Sequence, residues 1–146
     1  MPTNDFTILL AEDDDDDAMF ILRALKEVCP ENEAIHVHDG EDAVHYLKGE
    51  GPFADRRRFA APALLLLDLK MPGEDGFYVL EWLRDHPQAD LPVIVLTGSA
   101  FPQEKDRALE LGAREFHEKP VAYEDTLALI KGICSRWLAL DGVAAR

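Results

Sequence analysis

Five short apolar segments alternate along the chain with segments whose apolar residues recur at helical spacing. The predicted strands are residues 6–11, 34–37, 63–67, 91–96 and 114–117. The predicted helices are residues 18–28, 41–48, a segment containing 76–83, 103–111 and 124–138. The segment 63–67 is almost continuously apolar, which is typical of a central parallel strand covered on both faces. Because such strands are joined by right-handed crossovers, the alternation predicts a doubly wound α/β fold, with a five-stranded parallel sheet and helices on both faces.

Charge and composition exclude two classes of partner. The formal net charge of −14 weighs against binding to DNA, and the basic run 56–58 lies in a Gly- and Pro-rich stretch where a solvated loop is expected. No apolar run reaches the roughly 20 residues that span a membrane, and no signal-peptide pattern opens the chain. Cys29 and Cys134 fit no metal or redox spacing. We therefore expect a one-domain, cytoplasmic protein with reduced, partly buried cysteines that binds neither DNA nor membrane.

Four of the five predicted strands end in a polar residue that can take part in chemistry. Glu12 and Asp13 follow the first strand, Asp68 the third, Thr97 the fourth and Lys119 the fifth. Each residue alone has an ordinary explanation, such as a helix cap or a loop. However, the carboxyl ends of parallel strands share one edge of a sheet, where ligands bind in doubly wound folds. The order of these residues therefore predicts one site.

Three carboxylates at one point repel each other unless a cation offsets their charge. A site made only of oxygen ligands favours Mg²⁺ over zinc. We expect Asp13 and Asp68 to bind the cation directly and Glu12 to bind it through a water. The backbone carbonyl of Lys70 is expected to be the remaining protein ligand.

Asp68 is the predicted nucleophile of this site. It follows the most apolar strand and so lies at the centre of the sheet, and a carboxylate can attack phosphorus to form an acyl phosphate. Lys119 is placed to pair with one phosphoryl oxygen. Thr97 is short and hydroxylated, which suits a hydrogen bond to another.

His36 and His38 alternate on the second predicted strand and so share a face. A histidine pair of this kind suggests zinc, but no third ligand is evident in the sequence. We expect the two rings to pack or to face water.

At these positions the chain resembles the response-regulator receiver family. The matching motifs are residues 8–13, 65–76, 92–97 and Lys119-Pro120. The resemblance covers about residues 6–138 and implies the flavodoxin-like strand order 2-1-3-4-5. It also implies phosphorylation of Asp68 by a histidine kinase, with Mg²⁺ (or Mn²⁺) held by Glu12, Asp13, Asp68 and the Lys70 carbonyl.

The resemblance further implies a switch in which Thr97 and an aromatic residue, here Phe116, reorient together. A phenylalanine has no hydroxyl group to hydrate and should favour the buried position. Lys70 and Ser99 border the phosphoryl group and bear on the lifetime of the acyl phosphate.

A closer similarity is to small single-domain regulators partnered with bacteriophytochrome-type sensor kinases. It is carried by Asp16-Asp17, the loop 50–55 and the last helix. This similarity implies a homodimer through the face of the fourth and fifth helices and strands.

The resemblance implies a single receiver domain over residues 1–146, with a core of about 6–138 and a short tail, 139–146. That tail is too short for an output domain, so output by protein contact or onward phosphoryl transfer is expected. The protein would then be a switch that catalyses only its own phosphorylation and dephosphorylation. An aspartyl phosphatase is the alternative enzyme, but it needs a second acid where Lys70 stands. A receiver that binds partners without phosphorylation is a third reading, against which the complete set of site residues argues.

Overall fold

The computed structural model of the protein describes residues 6–88 and 90–138. Five parallel strands form one sheet in the order β2-β1-β3-β4-β5, as predicted. The strands are β1 (Thr7–Ala11), β2 (Glu33–Val37), β3 (Leu64–Leu67), β4 (Val93–Thr97) and β5 (Glu115–Glu118). The outer parts of the predicted domain, residues 1–5 and the tail 139–146, lie outside the described residues.

Five α-helices alternate with the strands. They are α1 (Asp15–Val28), α2 (Gly40–Lys48), α3 (Gly76–Asp85), α4 (Pro102–Glu110) and α5 (Tyr123–Trp137), and a short 3₁₀ helix covers Gly51–Phe53. Each of the first three helices begins after an aspartate whose side chain accepts backbone N–H bonds from the first turn: Asp14, Asp39 and Asp75. Such caps satisfy donors that a helix leaves without partners.

Two apolar layers cover the sheet. The four leucines of β3 are completely buried and point alternately to the two sides. Leu65 and Leu67 pack with residues of α2, α3 and α4, whereas Leu64 and Leu66 pack with residues of α1 and α5. β3 is therefore the buried centre of the sheet, and the residue that follows it is held at the middle of the sheet's edge.

The structure corrects two predictions, one about a helix end and one about a loop. The helix predicted over residues 41–48 begins one residue earlier, at Gly40, because the Asp39 side chain caps it. Arg56, expected in a solvated loop, donates to the carbonyl oxygens of Tyr46 and Leu47 at the end of α2. It thereby satisfies acceptors that a helix end leaves open.

The cysteines are more buried than expected, since Cys29 and Cys134 both lie free within the α1 and α5 layer. Within residues 6–88 and 90–138, no helix has both the length and the apolar character needed to cross a membrane.

The loop between β3 and α3 is pressed against the end of β3. A Cβ atom on Gly76 would lie 2.4 Å from the carbonyl oxygen of Asp68, so only glycine fits there. The amide of Gly76 donates to the carbonyl oxygen of Leu69. This close approach fixes the backbone around Asp68.

Candidate functional site

The sheet brings the predicted site residues together at one edge. Glu12 follows β1, Asp68 follows β3, Thr97 ends β4 and Lys119 follows β5. One carboxylate oxygen from each of Glu12, Asp13 and Asp68 lies within 4.8 Å of the others. Glu12 is 1% exposed and Asp68 4%, whereas Asp13 faces solvent. We call this group of three carboxylates the acidic hollow.

Lys119 points into the acidic hollow. Its Nζ lies 2.5 Å from Glu12 Oε1, 2.9 Å from Asp17 Oδ2 and 3.2 Å from Asp68 Oδ2. Burial alone would lower the pKa of Lys119, but hydrogen bonds to Glu12 and Asp17 and the charge of Asp68 raise it. Lys119 is therefore a permanent cation at the centre of this edge.

One lysine does not balance the carboxylates around it. Burial raises the pKa of Glu12 to about 7, despite hydrogen bonds from Lys119 and from the Asp14 amide that lower it. The charge of Asp68 also raises the pKa of Glu12. By formal charge, the three carboxylates of the hollow face a single lysine in the part of the chain that the structure describes. Because its donors are all oxygens, a hard cation such as Mg²⁺ fits this donor set.

Both oxygens of the Asp68 carboxylate have partners. Oδ1 accepts from the Lys70 backbone amide at 3.2 Å, and Oδ2 faces Lys119. The Asp68 amide in turn donates to the Ala11 carbonyl, which ties β3 to β1 at the hollow. The side chain is thereby aimed toward the acids that follow β1.

Thr97 is buried at the end of β4, and its hydroxyl has no hydrogen-bond partner within the described part of the chain. An unpaired buried hydroxyl is unfavourable, and in native proteins such a group calls for an explanation such as a role in catalysis or a bound ion. Phe116 lies opposite Val95 in the register of β4 and β5, on the same side of the sheet as Thr97. It is half-buried against the α2, α3 and α4 layer.

Sequence reasoning missed two charged partners of this edge. Asp17, in the first turn of α1, shares Lys119 with the hollow. The sequence offered one sign of this role, because Asp17 belongs to the same acidic run as Glu12 and Asp13. Glu104 of α4 binds the Lys70 Nζ at 2.5 Å, across 34 positions of sequence that give no hint of the contact. Ser99 is exposed.

Residues 8–131 match the family model described as the response regulator receiver domain. The chain belongs to this family. It is a receiver domain of a response regulator, and the fold agrees with that of solved receivers.

A relative of this receiver that is similar over nearly its whole length is also a response regulator. Response regulator Rcp1 of Synechocystis sp. is 33% identical over 90% of this chain and 88% of its own length. Its Mn²⁺-bound crystal structure matches with a TM-score of 0.79 at 31% identity, over 91% of this chain and 94% of that one.

Two further solved structures are similar. The phosphorylated cyanobacterial phytochrome response regulator RcpA has a TM-score of 0.84 at 31% identity and covers 92% of this chain and 95% of its own. The bacteriophytochrome response regulator RtBRR has a TM-score of 0.72 at 38% identity, with 86% of this chain and 76% of that chain covered.

Proposed function

We propose that Asp68 of this receiver accepts a phosphoryl group from the phosphohistidine of a sensor histidine kinase. The observation that carries the proposal is the position of Asp68, which is buried at the centre of the sheet edge with a cation beside it and an unpaired hydroxyl at the end of the neighbouring strand β4. A carboxylate oxygen attacks phosphorus, a P–O bond forms, and the P–N bond of the phosphohistidine breaks. The leaving imidazole nitrogen keeps the bonding electron pair.

The acidic hollow would hold Mg²⁺ or Mn²⁺ through Glu12, Asp13, Asp68 and the backbone carbonyl of Lys70. When bound, the ion supplies positive charge against the carboxylates and the incoming phosphoryl oxygens. The excess negative charge of the hollow supports this assignment, as does the Mn²⁺-bound structure of the related Rcp1.

Lys119 and Thr97 would bind two different oxygens of the phosphoryl group. Lys119 Nζ already lies beside Asp68 Oδ2, so a group formed on that side meets an ammonium ion at once. The Thr97 hydroxyl gains the partner that it lacks in the free receiver. Phe116 would follow Thr97 in the switch, because both lie on the same side of neighbouring strands.

The protein would act as a switch and not as a phosphatase. The residue two positions after the acceptor is Lys70, whose ammonium group is bound to Glu104 and which offers no acid for turnover. Autophosphorylation and its reversal would be the only catalysis. A panel of phosphomonoesters tests this directly, because sustained turnover would favour the phosphatase.

The partner would be a histidine kinase of the bacteriophytochrome type, as the names of the relatives suggest. We propose a single receiver domain that works in the cytoplasm and signals by protein contact or onward phosphoryl transfer, without binding DNA.

We also propose a homodimer through the face of the fourth and fifth helices and strands. Such a dimer would bury Leu109, which is exposed on α4. Sedimentation of wild type and Leu109→Glu tests the dimer, and an unchanged mass distribution would count against it.

The decisive experiment is intact-mass measurement after incubation with acetyl phosphate and Mg²⁺. Wild type should gain one phosphoryl group, and Asp68→Asn should gain none. Asp85→Asn, an exposed change of the same kind at the end of α3, should behave as wild type. A wild-type protein without added mass, or equal labelling of Asp68→Asn, would contradict the proposal.

A further inference from the structure

A second group of metal-binding side chains lies outside the acidic hollow, where the end of β2 meets the start of α1. Ligand atoms of Asp15, His36 and His38 all lie within 4.8 Å of one another. His36 is half-buried and the other two side chains are exposed. The fold supplies the third ligand that the sequence did not reveal, because Asp15 comes from a different element than the histidines. We call these three residues the histidine cluster.

The spacing within the histidine cluster suits a tetrahedral metal ion. Two ligands that each lie about 2.0–2.1 Å from zinc at the tetrahedral angle are about 3.3 Å apart. His38 Nε2 and Asp15 Oδ1 are 3.4 Å apart. The rings of His36 and His38 have centroids 4.2 Å apart, and one nitrogen of each lies within 4.8 Å of the other and of an Asp15 oxygen.

The hydrogen bond of His36 leaves Nδ1 as the ring nitrogen that is available to a metal. His36 Nε2 lies 2.7 Å from the backbone carbonyl oxygen of Glu12. A carbonyl oxygen only accepts, so Nε2 carries the proton and the lone pair lies on Nδ1. Histidines that bind metals usually donate their other ring N–H to a carbonyl or carboxylate group in this way.

We propose that Asp15, His36 and His38 form a second divalent-cation site, selective for a borderline ion such as Zn²⁺. Two imidazoles and one carboxylate favour such an ion, whereas the all-oxygen acidic hollow favours Mg²⁺. Three protein ligands leave a fourth position open to water, which is typical of zinc sites that are not purely structural. The run of aspartates 13–17 adds an attractive field. The His36 bond to Glu12 joins this site to the backbone of the acidic hollow.

The test is a calorimetric titration of the full chain with Zn²⁺ in excess Mg²⁺, combined with imidazole ¹H–¹⁵N spectra. Zinc should shift the signals of His36 and His38 and leave those of His45, His86 and His117 in place. His38→Ala and Asp15→Asn should each lower the zinc affinity by more than about tenfold. Mutation of a residue that only hydrogen-bonds a metal ligand already lowers metal affinity by about 10–100-fold, so loss of a ligand should cost at least as much.

The matched control is Asp16→Asn, which removes the same charge from an exposed neighbour in the same acidic run. It should change the affinity by less than about fivefold, because an exposed charge that does not bind the ion contributes only weak, long-range attraction. Equal losses in Asp15→Asn and Asp16→Asn would mean general attraction to acids and would overturn the site. Titration of Asp68→Asn separates the two metal sites. Histidine shifts that persist support the proposal, and their disappearance would place the zinc in the acidic hollow and refute it.

Discussion

Replacement of Lys119 by methionine is the sharpest test of the charge balance at the acidic hollow. Among the described residues, Lys119 is the only cation within ion-pair distance of Glu12 and Asp68. At 3.2 Å and an effective dielectric constant of about 20, the pair with Asp68 is worth about 5 kcal/mol. Relief of the lysine's own desolvation offsets part of this. Loss of one partner from a buried ion pair costs about 3–5 kcal/mol in general, and we expect that loss in metal-free protein.

Added Mg²⁺ should narrow the difference between Lys119→Met and wild type. An ion that binds only the folded state at 100 times its dissociation constant stabilises by about 2.7 kcal/mol. The variant should bind Mg²⁺ more tightly, because its carboxylates have lost their ammonium partner. Urea unfolding followed by circular dichroism, with and without Mg²⁺, measures both effects, and the exposed Lys131→Met on α5 is the control. A loss below about 1 kcal/mol, or a difference that Mg²⁺ leaves unchanged, would refute the reasoning.

Three further predictions concern neighbouring parts of the fold. Thr97→Val should leave the free energy of unfolding in urea unchanged or raise it by about 1 kcal/mol, because the Thr97 hydroxyl has no partner to lose among the residues that the structure describes. The same change should slow phosphoryl uptake about 10–100-fold, because the hydrogen bond from Thr97 to a charged phosphoryl oxygen is lost. Gly76→Ala should lower the free energy of unfolding by about 1–3 kcal/mol, because its Cβ would press on the Asp68 carbonyl; an unchanged midpoint would contradict this. Arg136 holds the pKa of Glu115 at about 2, well below its usual 4.5, with smaller help from His117 and Trp137. This depressed pKa contributes about 1–2 kcal/mol of stability, after solvent screening, that is present above pH 4.5 and is lost as the pH falls to about 2. Arg136→Met should weaken that pH dependence, which urea unfolding at a series of pH values measures.

The fold could be predicted because its signals are local. The continuous leucines of β3 and the helical spacing of apolar residues both reflect which faces are buried. A buried face requires apolar residues at a regular spacing, and that spacing can be read from the sequence. Strand ends follow from the same pattern. Asp68 and Lys119 could therefore be placed at one edge without coordinates.

The missed contacts join side chains from elements that are distant in sequence. Lys70 meets Glu104 across 34 positions, and Asp15 reaches His38 only after α1 has packed beside β2. Neither pair has a period or a motif. Arg56 was misplaced for a related reason, because a basic run in a loop gives no sign that one member caps α2.

The hydrogen bonds of Lys119 indicate which contact the receiver gives up when Asp68 is phosphorylated. An ammonium group has three N–H donors, and Nζ directs them at Glu12, Asp17 and Asp68. If Nζ keeps its bond to the Asp68 carboxyl group and also binds a phosphoryl oxygen, it has to release Glu12 or Asp17. The Asp17 side chain is 46% exposed, so water can replace the lysine there at little cost, whereas the Glu12 side chain is 1% exposed and would be left buried without its cation. The first change should then be release of the Asp17 side chain from Lys119, in the first turn of α1 and on the side of the sheet opposite Thr97 and Phe116.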